Sequence, residues 1–222
     1  MPLDGLDLLL VGGAGGLGSA TAELLSAEGA RVIISSREHG QRADITRAAD
    51  RKRLLDSVPH LYGLVVFTGD AARGEIEEAM ERSHAVNYAG PIRLARAAAE
   101  QMKKSGTQGS IVLFASMQAV ALFPGSTAYA AEKAALLHAA RILAKECRGS
   151  SNIRVNVIAP GVMQAGMAEA SIASGKYQRY IDEGVIPRYG KAADVARAVR
   201  FLLEPDNYIT GQVLSVDGGI TL

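Results

Sequence analysis

Glycines 12, 16 and 18 punctuate the run Val11-Gly-Gly-Ala-Gly-Gly-Leu-Gly18, which separates a short apolar segment from an amphipathic one. The apolar segment reads as a buried strand and its successor as a helix, so the run fixes a strand–turn–helix unit near the start of the chain. Without a Cβ, glycine permits a tight turn, lets a phosphate approach the backbone and lets the helix pack closely on the strand. The first N–H groups of a helix have no partner within it and can hold a pyrophosphate. The spacing therefore predicts dinucleotide binding, with Gly12, Gly16, Leu17 and Gly18 around the phosphates.

The same alternation continues down the chain. Candidate strands are Leu6–Gly12, Ala30–Ser35, Leu61–Phe67, Ser110–Ala115, Arg154–Ala159 and Gln212–Val216; candidate helices are Leu17–Glu28, Arg47–Ser57, Glu75–Lys104, Tyr129–Arg148 and Ala193–Leu203. Several strands are apolar almost throughout, as expected for parallel strands covered on both faces. Strand–helix alternation implies right-handed crossovers and an α/β, Rossmann-type doubly wound parallel sheet. Its 222 residues, with 48% hydrophobic and 21% charged, suit one domain over 1–222 with a continuous core. One link is too short for the pattern. About half a dozen residues separate Ser36 from Ala43, whereas a helical crossover takes about a dozen or more. The helix after the second strand is therefore expected to be missing, with a vestigial strand around Arg42–Ile45.

The second strand ends in Ser35-Ser36-Arg37. A site preferring NAD usually carries an acidic residue about twenty positions beyond the glycines, bonded to the ribose. Ser36 stands there instead, and Arg37 offers a positive charge to a 2′-phosphate. NADP(H) is favoured on these residues and NAD(H) remains possible. Asp44 is a candidate acceptor for the adenine amino group, or a turn-forming aspartate.

Tyr129 and Lys133 are four residues apart in a helical pattern, so they share one face. Bringing a phenol from ~10 to about 7 takes roughly 4 kcal/mol of preferential support for the phenolate. An ammonium at about 4 Å in a partly screened site supplies that order of energy. Ser116 lies upstream on the candidate strand end, and Asn87 lies in the long helix.

These residues give the chain an end-to-end resemblance to the short-chain dehydrogenase/reductase family, in particular to its 3-oxoacyl-carrier-protein reductases. Gly12, Gly16 and Gly18 resemble the family's T-G-x-x-x-G-x-G turn; Asn87, Ser116, Tyr129 and Lys133 match its catalytic tetrad. Asn156-Val-Ile-Ala-Pro-Gly161 is similar to the segment that closes over the nicotinamide. Ile209–Gly219 and Pro187–Lys191 resemble the C-terminal signature and the lead into the last helix. The resemblance implies Tyr129 as the proton donor and Ser116 as a hydrogen-bond donor to the substrate oxygen. It implies that Lys133 lowers the tyrosine pKa and holds the nicotinamide ribose, and that Asn87 positions a water. It also implies cofactor contacts from Gly69, Pro160, Gly161 and Val162, a substrate lid over about 162–190, and a homo-oligomer, tetramer or dimer. Three departures stand out: Val11 replaces the threonine of the turn, Val66-Phe-Thr-Gly69 replaces N-N-A-G, and Ala165 replaces a threonine that commonly bonds the carboxamide.

The expected reaction is hydride transfer between NADP(H) and a carbonyl or secondary alcohol. An NADPH-dependent ketone or 3-oxoacyl-thioester reductase is the first reading; an NAD(H) alcohol or diol dehydrogenase, or a non-catalytic dinucleotide sensor, are the alternatives. Met117–Pro124 and the Met163–Tyr180 segment, with Met167, Ile172 and Tyr177, suggest an apolar substrate body. A formal net charge of +1 gives no bulk electrostatic case for nucleic acid or an anionic membrane. No apolar run approaches the ~20 residues of a membrane span, and Leu6–Val11 is too short for a secretory core. The single cysteine, Cys147, rules out an intrachain disulfide and is expected to pack inertly. The four histidines show no metal-ligand spacing, so no metal is expected. A cytoplasmic protein is the expectation.

Overall fold

The computed structural model describes residues 2–222; residue 1, which the predicted domain included, lies outside them. Seven strands form one all-parallel sheet: β1 (Asp7–Val11), β2 (Arg31–Ser36), β3 (Gln41–Arg42), β4 (Leu61–Val66), β5 (Ser110–Phe114), β6 (Arg154–Pro160) and β7 (Val213–Val216). Their spatial order is β3-β2-β1-β4-β5-β6-β7, so the direction of winding reverses next to β1, where β4 takes its other side. Open α/β sheets bind ligands outside the carboxyl ends of the strands at such a reversal. The predicted α/β fold and strand positions hold to within a residue or so.

Side chains alternate between two apolar layers. Leu9, Val11, Leu64, Val66, Ile111, Leu113, Val155 and Val157 point into one. Leu8, Leu10, Tyr62, Val65, Val112, Phe114 and Ile158 point into the other. Helices α2 (Ala48–Asp56), α4 (Gly90–Ser105) and α5 (Thr127–Glu146) contribute to the first layer, and α1 (Gly16–Ala27) and α8 (Ala192–Leu203) to the second. Burial on both faces explains why these strands read as continuous apolar runs. Cys147 is buried in the first layer, as its apolar neighbourhood suggested.

The link after β2 contains no helix, as its length required. The vestigial strand falls at Gln41–Arg42, earlier than the predicted Arg42–Ile45. Ser36 is the reason: its Oγ accepts from the N–H groups of Glu38 and His39 and donates to the His39 carbonyl, closing a tight turn that returns the chain at once. The predicted helix Glu75–Lys104 is continuous but composite. It runs as α3 (Ile76–Ser83), a π-helical turn His84–Ala89, and α4. The lid region carries two short helices, α6 (Glu169–Ala173) and α7 (Gln178–Asp182), that periodicity did not mark.

Buried Arg154 on β6 has no carboxylate beside it. It donates to the carbonyls of Leu202 and Glu204 while Tyr62 and Ser110 bond those of Leu203 and Leu202. These donors satisfy the last turn of α8, whose negative dipole end suits a cation.

Candidate active site

A cleft of about 850 Å³ opens at the carboxyl edge of the sheet, where the glycine turn, the ends of β4, β5 and β6, the start of α5 and the lid converge. The turn after β1 is built as its glycines predicted. Gly12 has φ +79°, and its N–H bonds the Ser35 carbonyl at 2.7 Å. A Cβ on Gly18 would lie 2.4 Å from Gly13 Cα, so α1 presses directly on the turn. The N-cap residue Gly15 has no side chain to offer α1, and Gly15, Gly16, Leu17 and Gly18 all line the cleft. Uncapped N–H groups facing a cleft at a topological reversal suit a pyrophosphate. Two further polar atoms on the cleft walls, Thr68 Oγ1 and Gln118 Oε1, are buried without a hydrogen-bond partner among the described residues. Unpaired buried polar atoms fit a site that receives a polar ligand, so these residues fit a dinucleotide.

Ser116, Tyr129 and Lys133 line this cleft together. Ser116 leaves β5 in extended conformation, and its Oγ accepts from the Gln118 N–H at 3.2 Å. Lys133 is 2% exposed, one helical turn beyond Tyr129. Its Nζ donates to the carbonyls of Phe114 at 2.8 Å and Thr68 at 3.1 Å, and lies 6.0 Å from the Tyr129 ring centroid.

This geometry corrects the expected electrostatics. The Tyr129 phenol is pushed above its ordinary value, by burial first; the Ser116 hydroxyl pulls the other way and Tyr177 adds to the rise. Lys133 is lowered to about 7 by burial. The ammonium is turned toward two carbonyls rather than the phenol oxygen, so desolvation outweighs the attraction that sequence spacing suggested.

Asn87 sits in the π-helical turn and is fully buried. Such turns recur at functional sites. Its Oδ1 accepts from the Asp70 N–H at 2.9 Å, and its Nδ2 donates to the Asp70 carbonyl at 2.9 Å and to Ser83 Oγ at 2.8 Å. Ser83 in turn donates to the Ala128 carbonyl. The Asn87 amide thus braces the cleft wall after β4 against the start of α5. The wall is braced again by Asp70, which accepts from Ala72 N–H and pairs with Arg82 at 2.9 Å. Sequence reasoning missed Ser83 and the Asp70–Arg82 pair. The four-residue spacing of Ser83 and Asn87 could have found the serine; no local spacing marks the Asp70–Arg82 pair, twelve residues apart.

Gly69, Pro160, Gly161 and Val162, for which cofactor contacts were expected, line the cleft. A Cβ on Gly69 would come within 3.8 Å of Lys133 Nζ, and one on Gly161 within 2.6 Å of Asp217 Cα. Ala165 reaches across to the glycine turn, 3.1 Å from where a Gly16 Cβ would stand. Ser36, Arg37 and Asp44 lie at the carboxyl ends of β2 and β3, outside this lining. The Ser36 hydroxyl is engaged in its own turn, and Asp44 Oδ1 accepts from Thr46 N–H and Oγ1, the turn-forming alternative. Arg37 is exposed. Among the described residues, no cluster of three or more His, Cys, Asp or Glu could hold a metal, and no helix is long and apolar enough to cross a membrane.

Comparison with known proteins gives concordant results. A family model described as Enoyl-(Acyl carrier protein) reductase matches residues 45–221. Carbonyl reductase family member 4 of Danio rerio is 33% identical over 239 residues, covering 96% of this chain and 97% of that protein. The 3-oxoacyl-[acyl-carrier-protein] reductase of Rattus norvegicus is 34% identical over 95% of this chain and 96% of its own length. A short-chain type dehydrogenase/reductase from Mycobacterium ulcerans superposes with a TM-score of 0.91 at 29% identity, covering 100% of this chain and 91% of that one. The structure of ElxO with NADP bound superposes at 0.85 with 25% identity, covering 97% of this chain and 98% of that one.

Proposed function

The chain belongs to the short-chain dehydrogenase/reductase family and acts on CH–OH/C=O groups with NAD(P), and from that premise we propose an NADPH-dependent reductase of ketones or 3-oxoacyl thioesters. The observation that carries this reading is the convergence of Ser116, Tyr129 and Lys133 on one cleft with the uncapped start of α1. When bound, NADPH supplies the hydride that reaches the carbonyl carbon.

The residues of the chain account for the rest. Tyr129, whose pKa is raised, holds its proton at neutral pH and donates it to the carbonyl oxygen. Ser116, next to it, donates a hydrogen bond to the same oxygen as negative charge develops there. Lys133, with a pKa of about 7, exchanges a proton near neutrality; because its amine is bonded to two carbonyls, reloading of the phenol would pass through a water between amine and phenol. Asn87 acts through Asp70 and Ser83 by holding the wall that carries the Thr68 carbonyl, and so positions Lys133.

The preference for NADP(H) over NAD(H) rests on Arg37, which directly follows β2, and on Ser36 in the place of the acidic residue that would bond the ribose of NAD. A cytoplasmic homo-oligomer, dimer or tetramer, completes the proposal. The test is a turnover panel with NADPH and NADH over a ketone, an aldehyde and an acetoacetyl thioester. Loss of NADPH absorbance with at least one of them is expected. Tight dinucleotide binding with no turnover of any carbonyl would sink the reading.

A further inference from the structure

We propose, resting on the carbonyl-reductase reading, that the substrate carries an anionic group remote from its carbonyl and that Arg73 and Lys176 receive it. The cleft walls hold three cationic side chains, Arg73, Lys133 and Lys176, and no aspartate or glutamate. Bulk composition does not produce this asymmetry, since the chain has 24 Lys and Arg against 23 Asp and Glu. A cleft of one sign concentrates ligands of the other.

Lys133 is buried against two carbonyls, which leaves Arg73 and Lys176. Neither side chain joins an ion pair or a hydrogen bond among the described residues. Asp70, three residues before Arg73, does not neutralise it, because its two oxygens are engaged by Arg82 and by Ala72 N–H. Arg82 also bonds the Arg73 carbonyl at 2.6 Å, which fixes the backbone that presents this guanidinium. Lys176 Nζ lies 5.5 Å above the Tyr177 ring, and Tyr177 is close enough to Tyr129 to raise its pKa. Lys176 therefore belongs to the lid, next in sequence to the tyrosine that acts on the proton donor. A pyrophosphate would find its donors at the uncapped start of α1. Met117, Met163 and Met167 on the walls suit an apolar body joining carbonyl to anion.

An anion of this kind is either the carboxylate of a free oxo acid or the phosphate of a thioester carrier. Two matched pairs of probes separate them: acetoacetate against ethyl acetoacetate, and acetoacetyl-coenzyme A against the neutral acetoacetyl thioester of N-acetylcysteamine. Each is reduced under saturating NADPH at low and high salt. At least one charged probe is expected to exceed its neutral partner in kcat/KM by about tenfold, with the advantage shrinking as salt rises. The double variant Arg73→Gln/Lys176→Gln should remove that advantage, leaving neutral probes and NADPH affinity unchanged. An advantage confined to acetoacetate assigns a carboxylate; one confined to the coenzyme A ester assigns a phosphate. Equal rates for charged and neutral probes, equal losses in the variant, or weakened NADPH binding would each overturn the inference. If no probe turns over, the reductase reading fails on its own. Calorimetric titration of all four probes into NADP⁺-saturated wild type and variant then decides the charge preference: a preference lost in the variant upholds it, and equal affinities overturn it.

Discussion

Lys133 should make the protein more stable as pH rises above neutrality, in a way that its replacement by methionine abolishes. In the unfolded chain the amine titrates at 10.5, and in the folded protein at about 7 because it is buried. Between these values the unfolded chain holds a proton that the folded protein does not, so stability increases with pH. The contribution is complete above 10.5 and is lost as pH falls to 7. The whole interval corresponds to roughly 5 kcal/mol, and the part between pH ~7 and ~9 to about 2 kcal/mol. Lys133→Met keeps the length and removes the charge. It also strips one donor each from the Phe114 and Thr68 carbonyls, but that cost does not vary with pH. Urea unfolding of both proteins across this range measures the difference directly, since histidine titrations common to both cancel. The wild type should gain about 2 kcal/mol over the variant between pH ~7 and ~9. Parallel stability profiles would refute the reasoning, because they would mean that Lys133 remains fully protonated in the fold.

Four further outcomes are expected. Tyr129→Phe should lower kcat by about 10²–10⁴-fold with dinucleotide binding retained, which NADPH fluorescence titration checks; persistent turnover would remove Tyr129 as the proton donor. Gly18→Ala sets a Cβ 2.4 Å from Gly13 Cα and 2.8 Å from the Gly12 carbonyl. Backbone on backbone cannot yield there, so urea unfolding should show a loss of about 1–3 kcal/mol together with weaker NADPH binding. Asn87→Ala leaves the Asp70 N–H and carbonyl without their partner, costing about 1–3 kcal/mol; an unchanged unfolding midpoint would contradict the bracing role. Arg37→Ala should raise KM for NADPH about tenfold, as expected for losing a charge-assisted contact, and leave KM for NADH alone; equal effects on both cofactors would dismiss the 2′-phosphate contact.

Much of this was legible before any coordinate, because it is local. The apolar runs that became β1, β4, β5 and β6 are set by burial on both sheet faces, and that constraint is visible in each run by itself. The glycine turn is legible for the same reason: Gly12 and Gly18 answer to a φ and a close approach that no other residue tolerates. The missing helix after β2 followed from chain length alone. What sequence could not supply is which backbone atoms from distant segments meet a given side chain. Tyr129 and Lys133 share a helix face as their spacing required, yet the amine donates to carbonyls from β5 and from the segment after β4. The phenol is itself buried, and that burial raises its pKa where spacing alone predicted lowering. Asn87 reached its place through its helix, but its bonds to Asp70 and Ser83 depend on a π-helical turn that has no periodic signature. The single-sign charge of the cleft belongs to the same class. Arg73 and Lys176 are about a hundred residues apart, and only the closure of the lid over the wall after β4 brings both cations to one cavity. The sheet strands, the main helices and their order follow from short-range burial and chain length; the tertiary structure decided the electrostatics of the site, because those depend on desolvation and on partners remote in the chain.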